Sequence, residues 1–201
     1  MSIKLVGHVG SPYSRKLRAY LRYKQIPFEW IQSNTSKVLE LPPPNIPIIP
    51  VVYYEAENYS IGHTDSTPLI QSMNKTYIRR STSPSDPALG FLSDLLEDFS
   101  DEWLNKIMYY YRFKYNGFRN SEFLLLASNP SVDKCALKEI AEIFQKRQTH
   151  NLPQIIGTND NSGDFLETHY IKIIKLFDDI LSKDNFLFGS RPSSADFGFF
   201  G

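Results

Sequence analysis

The sequence predicts an α/β domain built on a mixed sheet, followed by an all-α helical bundle domain. Strand-type runs occur only in the first 78 residues, where they alternate with helix-type segments. Residues 79–90, RRSTSPSDPALG, are rich in Ser and Pro and lack apolar periodicity, which is typical of a linker. After them, apolar side chains recur every three or four residues, as in amphipathic helices. We therefore expect domains at 1–78 and 91–201, joined by a linker at 79–90.

The first 31 residues predict a β-α-β unit. Residues 3–9 are apolar and β-branched enough for a buried strand, and residues 11–24 carry apolar or aromatic side chains at helical spacing. Pro27 ends this helix, and residues 28–31 alternate as a second strand. Because a helical crossover of this kind joins parallel strands, we expect the two strands to pair in parallel.

A proline-rich loop separates this unit from the rest of the sheet. Residues 41–50 hold five prolines, which exclude a regular helix. Residues 51–55 then predict a strand, 59–61 a returning strand and 66–77 a helix. The order of elements is therefore β-α-β-loop-β-β-α.

Composition narrows the classes of function. The chain is 41% apolar, and its 22 basic and 22 acidic side chains cancel, so the total charge does not indicate nucleic acid as a partner. No apolar run approaches the roughly 20 residues of a membrane-spanning helix, and residues 1–10 do not have the pattern of a signal peptide. We therefore expect a cytoplasmic protein that does not bind membranes. The single cysteine, Cys135, excludes an internal disulfide framework, and the four scattered histidines lack metal-ligand spacing, so no metal site is expected.

Two interpretations fit the turn after the first strand, where Gly10 leads into Ser11-Pro12-Tyr13-Ser14. Ser11 precedes a proline that suits the first helical position, so its hydroxyl is well placed as a helix N-cap without any chemical role. Alternatively, a hydroxyl beside the positive N-terminus of a helix can donate a hydrogen bond to an anion such as a thiolate. The local sequence alone favours the cap.

The order of elements is that of the thioredoxin-like fold, and Ser11-Pro12-Tyr13-Ser14 stands where glutaredoxins carry Cys-Pro-Tyr-Cys. With its helical second half, the chain resembles the glutathione S-transferases. These proteins join an α/β thioredoxin-like domain to an all-helical one and place Ser, Tyr or Cys at this turn. Further stretches that carry the resemblance are Ile49-Pro50-Val51, Asp65-Ser66, and the run from Phe188-Gly189 to Ser193-Ser194-Ala195-Asp196. The resemblance covers nearly the whole chain.

The resemblance implies a binding site for glutathione in the first domain. In the family, the proline that matches Pro50 is cis and exposes the backbone of the preceding residue, here Ile49, to the cysteinyl part of glutathione. Asp65 and Ser66 match the acidic residue and the serine that hold the α-ammonium and the α-carboxylate of the γ-glutamyl end. Taken alone, Pro50 would only shape a loop, and Asp65-Ser66 would be an ordinary helix cap.

The resemblance also implies the chemistry. The sulfur of glutathione would lie near Ser11, whose hydroxyl and helix dipole favour the thiolate. Ser11 is therefore the expected catalytic residue, as a hydrogen-bond donor and not as a nucleophile. The second substrate would be a small apolar electrophile. Its pocket is expected to include Tyr13, Met108, Tyr109, Arg112 and Tyr115.

Near the C-terminus, the run Ser193-Ser194-Ala195-Asp196 resembles the family's capping box. In that box, Ser193 and Asp196 would satisfy each other's backbone donors, so we expect a structural role. Family members usually continue through more helices after this box, and the second domain is therefore expected to be short or truncated. Family members also pair as two-fold dimers, which implies a homodimer here.

Three classes of function follow from these features. The first is a detoxifying transferase that conjugates the glutathione thiolate to a small apolar electrophile. The second is a non-catalytic protein of the same fold that binds glutathione, an apolar ligand or a protein partner. The third is a glutaredoxin-like or dehydroascorbate-reducing enzyme. It is disfavoured because both cysteines of the motif are serines and Cys135 lies far from the turn.

Overall fold

The computed structural model describes residues 2–114, 117–128, 133–151 and 157–201. It begins with strand β1 at Ile3–Gly7, helix α1 at Pro12–Lys24 and strand β2 at Phe28–Gln32. Strands β1 and β2 are parallel, with Ile3 opposite Phe28 and Gly7 opposite Gln32. The predicted β-α-β unit is therefore present.

The rest of the sheet follows β2. The next elements are a 3₁₀ turn at Ser36–Glu40, strand β3 at Val51–Tyr54, strand β4 at His63–Thr64 and helix α2 at Ser66–Thr76. The strands lie in the order β2-β1-β3-β4, with β3 antiparallel to both of its neighbours. This mixed sheet and the order β-α-β-loop-β-β-α confirm the predicted thioredoxin-like class of the first domain.

The predicted returning strand at 59–61 is wrong. The chain forms a 3₁₀ turn at Glu55–Glu57, and the next two residues, Asn58 and Tyr59, have φ angles of 51° and 55°. Residues in this left-handed region cannot continue an extended strand. For this reason β3 ends at Tyr54, and β4 begins only at His63.

Apolar side chains cover both faces of the sheet. On one face, residues of β1 and β3 pack with α1 and α2: Ile3, Leu5, Val52, Leu17, Tyr20, Leu21, Leu69, Ile70 and Met73. On the other face, Val6, Ile31, Val51 and Tyr53 form a second cluster. Because one side of α1 is buried along its length, close packing fixes the turn at its start relative to the sheet.

The other major elements are helices. They are α3 at Pro87–Asp98, α4 at Asn105–Lys114, α5 at Gly117–Ser128, α6 at Lys134–Lys146, α7 at Gly163–Leu181 and α8 at Ser194–Phe200. Two π-helical segments lie at Phe99–Leu104 and Arg147–Asn151, and a 3₁₀ turn lies at Asp160–Ser162. Helix α3 begins inside the segment predicted as a linker, because Asp86 Oδ1 accepts hydrogen bonds from the N–H groups of Ala88 and Leu89 and so caps the helix. The helical second half is as predicted.

The chain divides into two compact units. The first ends at Glu97 and also contains Pro192–Gly201, and the second is Asp98–Arg191. Phe197 of α8 packs edge-on against Tyr20 of α1, with ring centroids 5.8 Å apart. The first unit thus contains helices α3 and α8 in addition to the sheet and its two helices.

Candidate functional site

The turn between β1 and α1 lies close to the sheet because Gly7 has no side chain. A Cβ atom at Gly7 would lie 2.7 Å from both Ser14 Oγ and Trp30 Cη2, which is closer than such atoms approach one another in proteins. Glycine at this position therefore lets the first turn of α1 pack against the ends of β1 and β2.

Hydrogen bonds within the turn fix residues 8–14. The N–H of Ser11 donates to the carbonyl oxygen of His8 at 3.0 Å, and the N–H of Gly10 donates to His8 Nδ1 at 2.9 Å. The N–H of His8 donates in turn to the Oγ of Ser14, a fully buried residue, at 3.3 Å. The loop that carries Ser11 is therefore held at three points.

Ser11 is the N-cap of α1. Its backbone is extended, with φ −83° and ψ 124°, and its Oγ accepts a hydrogen bond from the N–H of Ser14 at 3.3 Å. This cap uses only a lone pair of the hydroxyl, so the hydroxyl proton can still be given to a ligand. Within the described residues, Ser11 Oγ donates no hydrogen bond. The cap and the donor role, which are alternatives at the level of sequence, are therefore compatible in one side chain.

Pro50 precedes β3 at the same edge of the sheet as Ser11. The first residue of β3, Val51, lies opposite Val6, close to the end of β1 from which the chain turns toward Ser11. The Ile49–Pro50 peptide bond is cis, and Pro50 is buried. Neither the N–H nor the carbonyl group of Ile49 forms a hydrogen bond to any part of the chain that the structure describes. The backbone of Ile49 is thus able to pair with an extended ligand.

Helix α2 begins at this edge too, because Thr64 at the end of β4 lies opposite Val51. Its N-cap is the exposed residue Asp65, whose Oδ1 accepts a hydrogen bond from the N–H of Thr67 at 3.2 Å. The φ angle of Asp65 is 74°, a conformation that costs a residue with a side chain about 1–3 kcal/mol. Backbone strain of this kind clusters at ligand-binding sites.

Ser66 is the first residue of α2. It is 1% exposed, and its Oγ has no hydrogen-bond partner in the described structure. Leaving a buried hydroxyl unpaired costs about 1–3 kcal/mol. A ligand carboxylate at the N-terminus of α2 would satisfy this hydroxyl and would be stabilised by the helix dipole.

A buried ion pair that the sequence analysis missed connects the helices of this site. Lys16 Nζ lies 2.6 Å from Glu97 Oε1, and the two side chains are 1% and 4% exposed. Lys16 Nζ also donates to Thr67 Oγ1 at 2.8 Å, and Thr67 Oγ1 donates to Glu97 Oε1 at 3.3 Å. Helices α1, α2 and α3 therefore meet at one charged cluster inside the first unit.

The helical period of α1 holds a signal for this cluster. Lys16 lies three residues after Tyr13 and four before Tyr20, on the side of the helix that carries its apolar residues. A lysine on the buried side of a helix needs a buried acceptor. The sequence does not identify Glu97 as that acceptor, because the two residues are far apart along the chain.

The residues expected to line an electrophile pocket are divided between the two units. Tyr13 lies in the first turn of α1, whereas Met108, Tyr109 and Arg112 lie on α4. Met108 and Arg112 are four residues apart and therefore lie on the same side of α4. Burial raises the pKa of Tyr109 above that of an ordinary tyrosine. Tyr115 lies outside the described residues.

Ser193 and Asp196 form a capping box at the start of α8. Asp196 Oδ2 accepts hydrogen bonds from the N–H of Ser193 at 2.8 Å and from its hydroxyl at 2.7 Å. Ser193 is 2% exposed, so these bonds stand in for water that cannot reach the residue. The box fixes the point at which α8 begins.

The described residues show neither a metal site nor a membrane-spanning helix. Among them, no group of three or more His, Cys, Asp or Glu side chains is arranged to hold a metal ion. None of their helices has the length and apolar character needed to cross a membrane.

Solved structures with the same fold include several glutathione S-transferases. A Tau class glutathione S-transferase from mango, Mangifera indica, has a TM-score of 0.56 and 17% sequence identity over 98% of this chain and 72% of that chain. A glutathione S-transferase from Methylobacterium radiotolerans, solved in complex with glutathione sulfonate, has a TM-score of 0.53 and 18% identity over 98% of this chain and 76% of that one. A beta-etherase from Sphingobium sp. strain SYK-6 has a TM-score of 0.63 and 16% identity over 98% and 81% of the two chains.

These similarities are structural. No protein-family model and no curated protein matches the sequence. The sequence-based resemblance is confirmed at the level of the fold, because the structural matches cover nearly the whole chain. The chain therefore has the glutathione S-transferase fold.

Proposed function

We propose that this protein binds glutathione and transfers its thiolate to an electrophilic carbon of a small apolar molecule. The observation that carries the proposal is that three residues lie at one edge of the sheet. Ser11 follows the end of β1, Ile49 precedes the start of β3, and Ser66 follows the end of β4. Each of the three offers a hydrogen-bonding group that no described residue uses. In a chain of this fold, that edge is where we expect glutathione to bind.

The chemical groups of glutathione match the groups at this edge. Its cysteinyl N–H and carbonyl can pair with the backbone of Ile49, which Pro50 presents to the ligand, in the manner of an added strand. Its α-carboxylate would accept a hydrogen bond from Ser66 Oγ at the N-terminus of α2, and its α-ammonium would lie near Asp65. The open backbone of Ile49 and the buried hydroxyl of Ser66 would then both have partners.

In this orientation the sulfur of glutathione lies at Ser11. A free thiol with a pKa of about 8.5 is only about 3% thiolate at pH 7. Lowering the pKa by two units is worth about 2.7 kcal/mol and raises the thiolate fraction at pH 7 about 25-fold. The Ser11 hydroxyl proton and the N-terminal dipole of α1 both act in this direction. The thiolate then forms the S–C bond, and the leaving group takes the electron pair of the bond that breaks.

Several side chains that follow one another along α4 are expected to contact the electrophile. These are Met108, Tyr109 and Arg112, with Tyr115 next in sequence. Aromatic rings and a thioether suit a small apolar molecule. A guanidinium at such a pocket can stabilise negative charge that develops on a leaving group.

A second candidate is a protein that binds glutathione without turnover. The N-cap bond of Ser11 favours it, because this bond alone is a sufficient structural reason for a serine at the start of α1. The two candidates differ in the ionisation of the bound thiol, which a transferase must promote and a binding protein need not change.

The deciding measurement is the ultraviolet thiolate absorbance of bound glutathione against pH, for the wild-type chain, Ser11→Ala and Ser11→Thr. Threonine keeps a hydroxyl at the N-cap, whereas alanine removes both the cap and the donor. A bound thiol pKa of about 7 or below in the wild type and Ser11→Thr, but a higher one in Ser11→Ala, supports the transferase. Binding with an unshifted thiol pKa supports the second candidate, and absence of saturable binding rejects both.

Three further expectations stay predictions: that the protein is a homodimer, that it is cytoplasmic and that it acts in detoxification. Analytical ultracentrifugation of the purified chain tests the first.

A further inference from the structure

Lys16 and Glu97 form an ion pair that the proposed chemistry does not use. Their side chains are 1% and 4% exposed, and Nζ lies 2.6 Å from Oε1. Transferring two charges from water to the protein interior is costly, and apolar residues of similar volume often stabilise a fold equally well or better. Stability alone therefore does not account for this pair.

The pair is connected to both ends of the proposed glutathione site. Lys16 lies on α1, whose first turn follows Ser11. Its Nζ donates to Thr67 Oγ1 at 2.8 Å, and the N–H of Thr67 donates to Asp65 Oδ1 at 3.2 Å. Glu97 closes the cluster from α3, because it accepts hydrogen bonds from Lys16 and from Thr67. A continuous path of short contacts thus runs from the start of α2 to α1.

We propose that Lys16, Thr67 and Glu97 are positioning residues that hold the start of α2 at a set distance from the start of α1. Glutathione would span these two helix ends, with its γ-glutamyl group at α2 and its sulfur at α1. Contacts with the γ-glutamyl group then help to place the sulfur at Ser11, so loss of the cluster should weaken thiol activation more for a ligand with this group than for one without it. This inference rests on the proposed function and adds to it three buried residues that position the two helix ends.

The experiment compares glutathione with cysteinylglycine, which has the same thiol but lacks the γ-glutamyl group. The dissociation constant and the bound thiol pKa are measured for both ligands with the wild-type chain, Thr67→Val and Thr67→Ser. Valine has the shape of threonine without its hydroxyl, and serine keeps the hydroxyl, so the two variants are matched. Denaturant unfolding of each variant checks that the fold is retained.

We expect the wild type to lower the thiol pKa of glutathione more than that of cysteinylglycine. We express this preference as the ratio of the acid dissociation constants of the two bound thiols. Thr67→Val should reduce that ratio roughly 2- to 30-fold, the range typical of residues that couple two sites without touching the ligand. Thr67→Ser should retain most of it. The bound thiol pKa of cysteinylglycine should be the same in all three proteins.

A second set of variants separates positioning from stability. Lys16→Met removes the cation that pairs with buried Glu97 and is expected to destabilise the chain, whereas the double variant Lys16→Met, Glu97→Leu replaces the whole pair by apolar groups. The double variant should recover stability but not the preference for the γ-glutamyl thiol. A merely structural pair would recover both.

The outcomes distinguish this inference from the proposed function. If the wild type lowers the thiol pKa of glutathione and of cysteinylglycine equally, or if Thr67→Val keeps the wild-type preference, the inference is overturned and the transferase proposal stands. If the wild type lowers the thiol pKa of neither ligand, the transferase proposal is overturned and the inference with it.

Discussion

Ser11 and Ser14 are joined by a hydrogen bond in which the N–H of Ser14 donates to Ser11 Oγ at 3.3 Å. The Oγ of Ser14 accepts a hydrogen bond from the N–H of His8, also at 3.3 Å. The two serines of the turn therefore have different roles. Ser14 accepts from a backbone N–H of the turn, and Ser11 caps the helix while its hydroxyl proton stays available to a ligand.

Replacing Ser11 by Asp should separate the cap from the proposed chemistry. An aspartate is as good an N-cap as serine and suits the positive end of α1, so the free energy of unfolding should stay within about 0.5 kcal/mol of wild type. Ser11→Ala should lose about 1 kcal/mol. The carboxylate of Ser11→Asp has no proton to donate and repels a thiolate, so the thiol pKa of bound glutathione should rise above its free value. A wild-type thiol pKa in Ser11→Asp would contradict the donor role.

Gly7→Ala should be strongly destabilising. Its Cβ would lie 2.7 Å from Ser14 Oγ and from Trp30 Cη2, so α1 or the indole must move. Overpacking of this kind costs about 1–3 kcal/mol. Gly90→Ala is the matched control, because the nearest atom to its Cβ, Pro84 O, is 3.9 Å away and α3 favours alanine over glycine by about 0.5–1 kcal/mol. Denaturant unfolding should therefore show opposite changes, and equal changes would refute the packing argument.

Local signals in the sequence were enough to predict the order β-α-β-loop-β-β-α. Helical spacing and prolines locate α1, α2 and the loop, since both act through neighbouring residues. The residue pattern predicts the returning strand too early, because it does not reveal the left-handed conformations of Asn58 and Tyr59. Neither residue type requires that conformation. Residue patterns therefore do not predict where a strand ends when its end is set by the φ angles of one or two residues.

The candidate site was only partly accessible from sequence. Local chemistry identified Ser11 as an N-cap, which the structure shows, but Ile49, Asp65 and Ser66 were selected by resemblance alone. The sequence does not predict the Lys16–Glu97 pair, because 80 residues separate its members along the chain. Long-range pairs of this kind require knowledge of which helices meet, and helical period alone does not supply it.

Asp196→Ala should destabilise the chain without changing glutathione binding. Asp196 Oδ2 accepts two hydrogen bonds from Ser193, at 2.8 and 2.7 Å, and Ser193 is 2% exposed. Losing a helix cap costs about 0.5–2 kcal/mol, and burial places this one toward the upper end. Asp196→Asn keeps an acceptor at the same place and should lose less. If Asp196→Ala unfolds at the same denaturant concentration as wild type, the box has no structural role.

Tyr54→Phe should make the protein more resistant to alkaline unfolding. Burial, together with the nearby Tyr77 and Glu57, raises the pKa of Tyr54 to about 12, compared with about 10 for an ordinary tyrosine. Below pH of about 10 the phenol is protonated in both states, so it has no effect on the pH dependence of stability. Between about 10 and about 12, the unfolded chain loses this proton while the folded chain keeps it, so the free energy of unfolding falls as pH rises. Removing the phenol hydroxyl removes this contribution, and the variant should lose less stability than wild type between pH values of about 10 and about 12.

The measurement is denaturant unfolding of wild type and Tyr54→Phe at several pH values below, within and above this range, with Tyr59→Phe as a control at a tyrosine beyond the end of β3. Parallel losses in wild type and Tyr54→Phe would show that Tyr54 ionises equally in the folded and unfolded states.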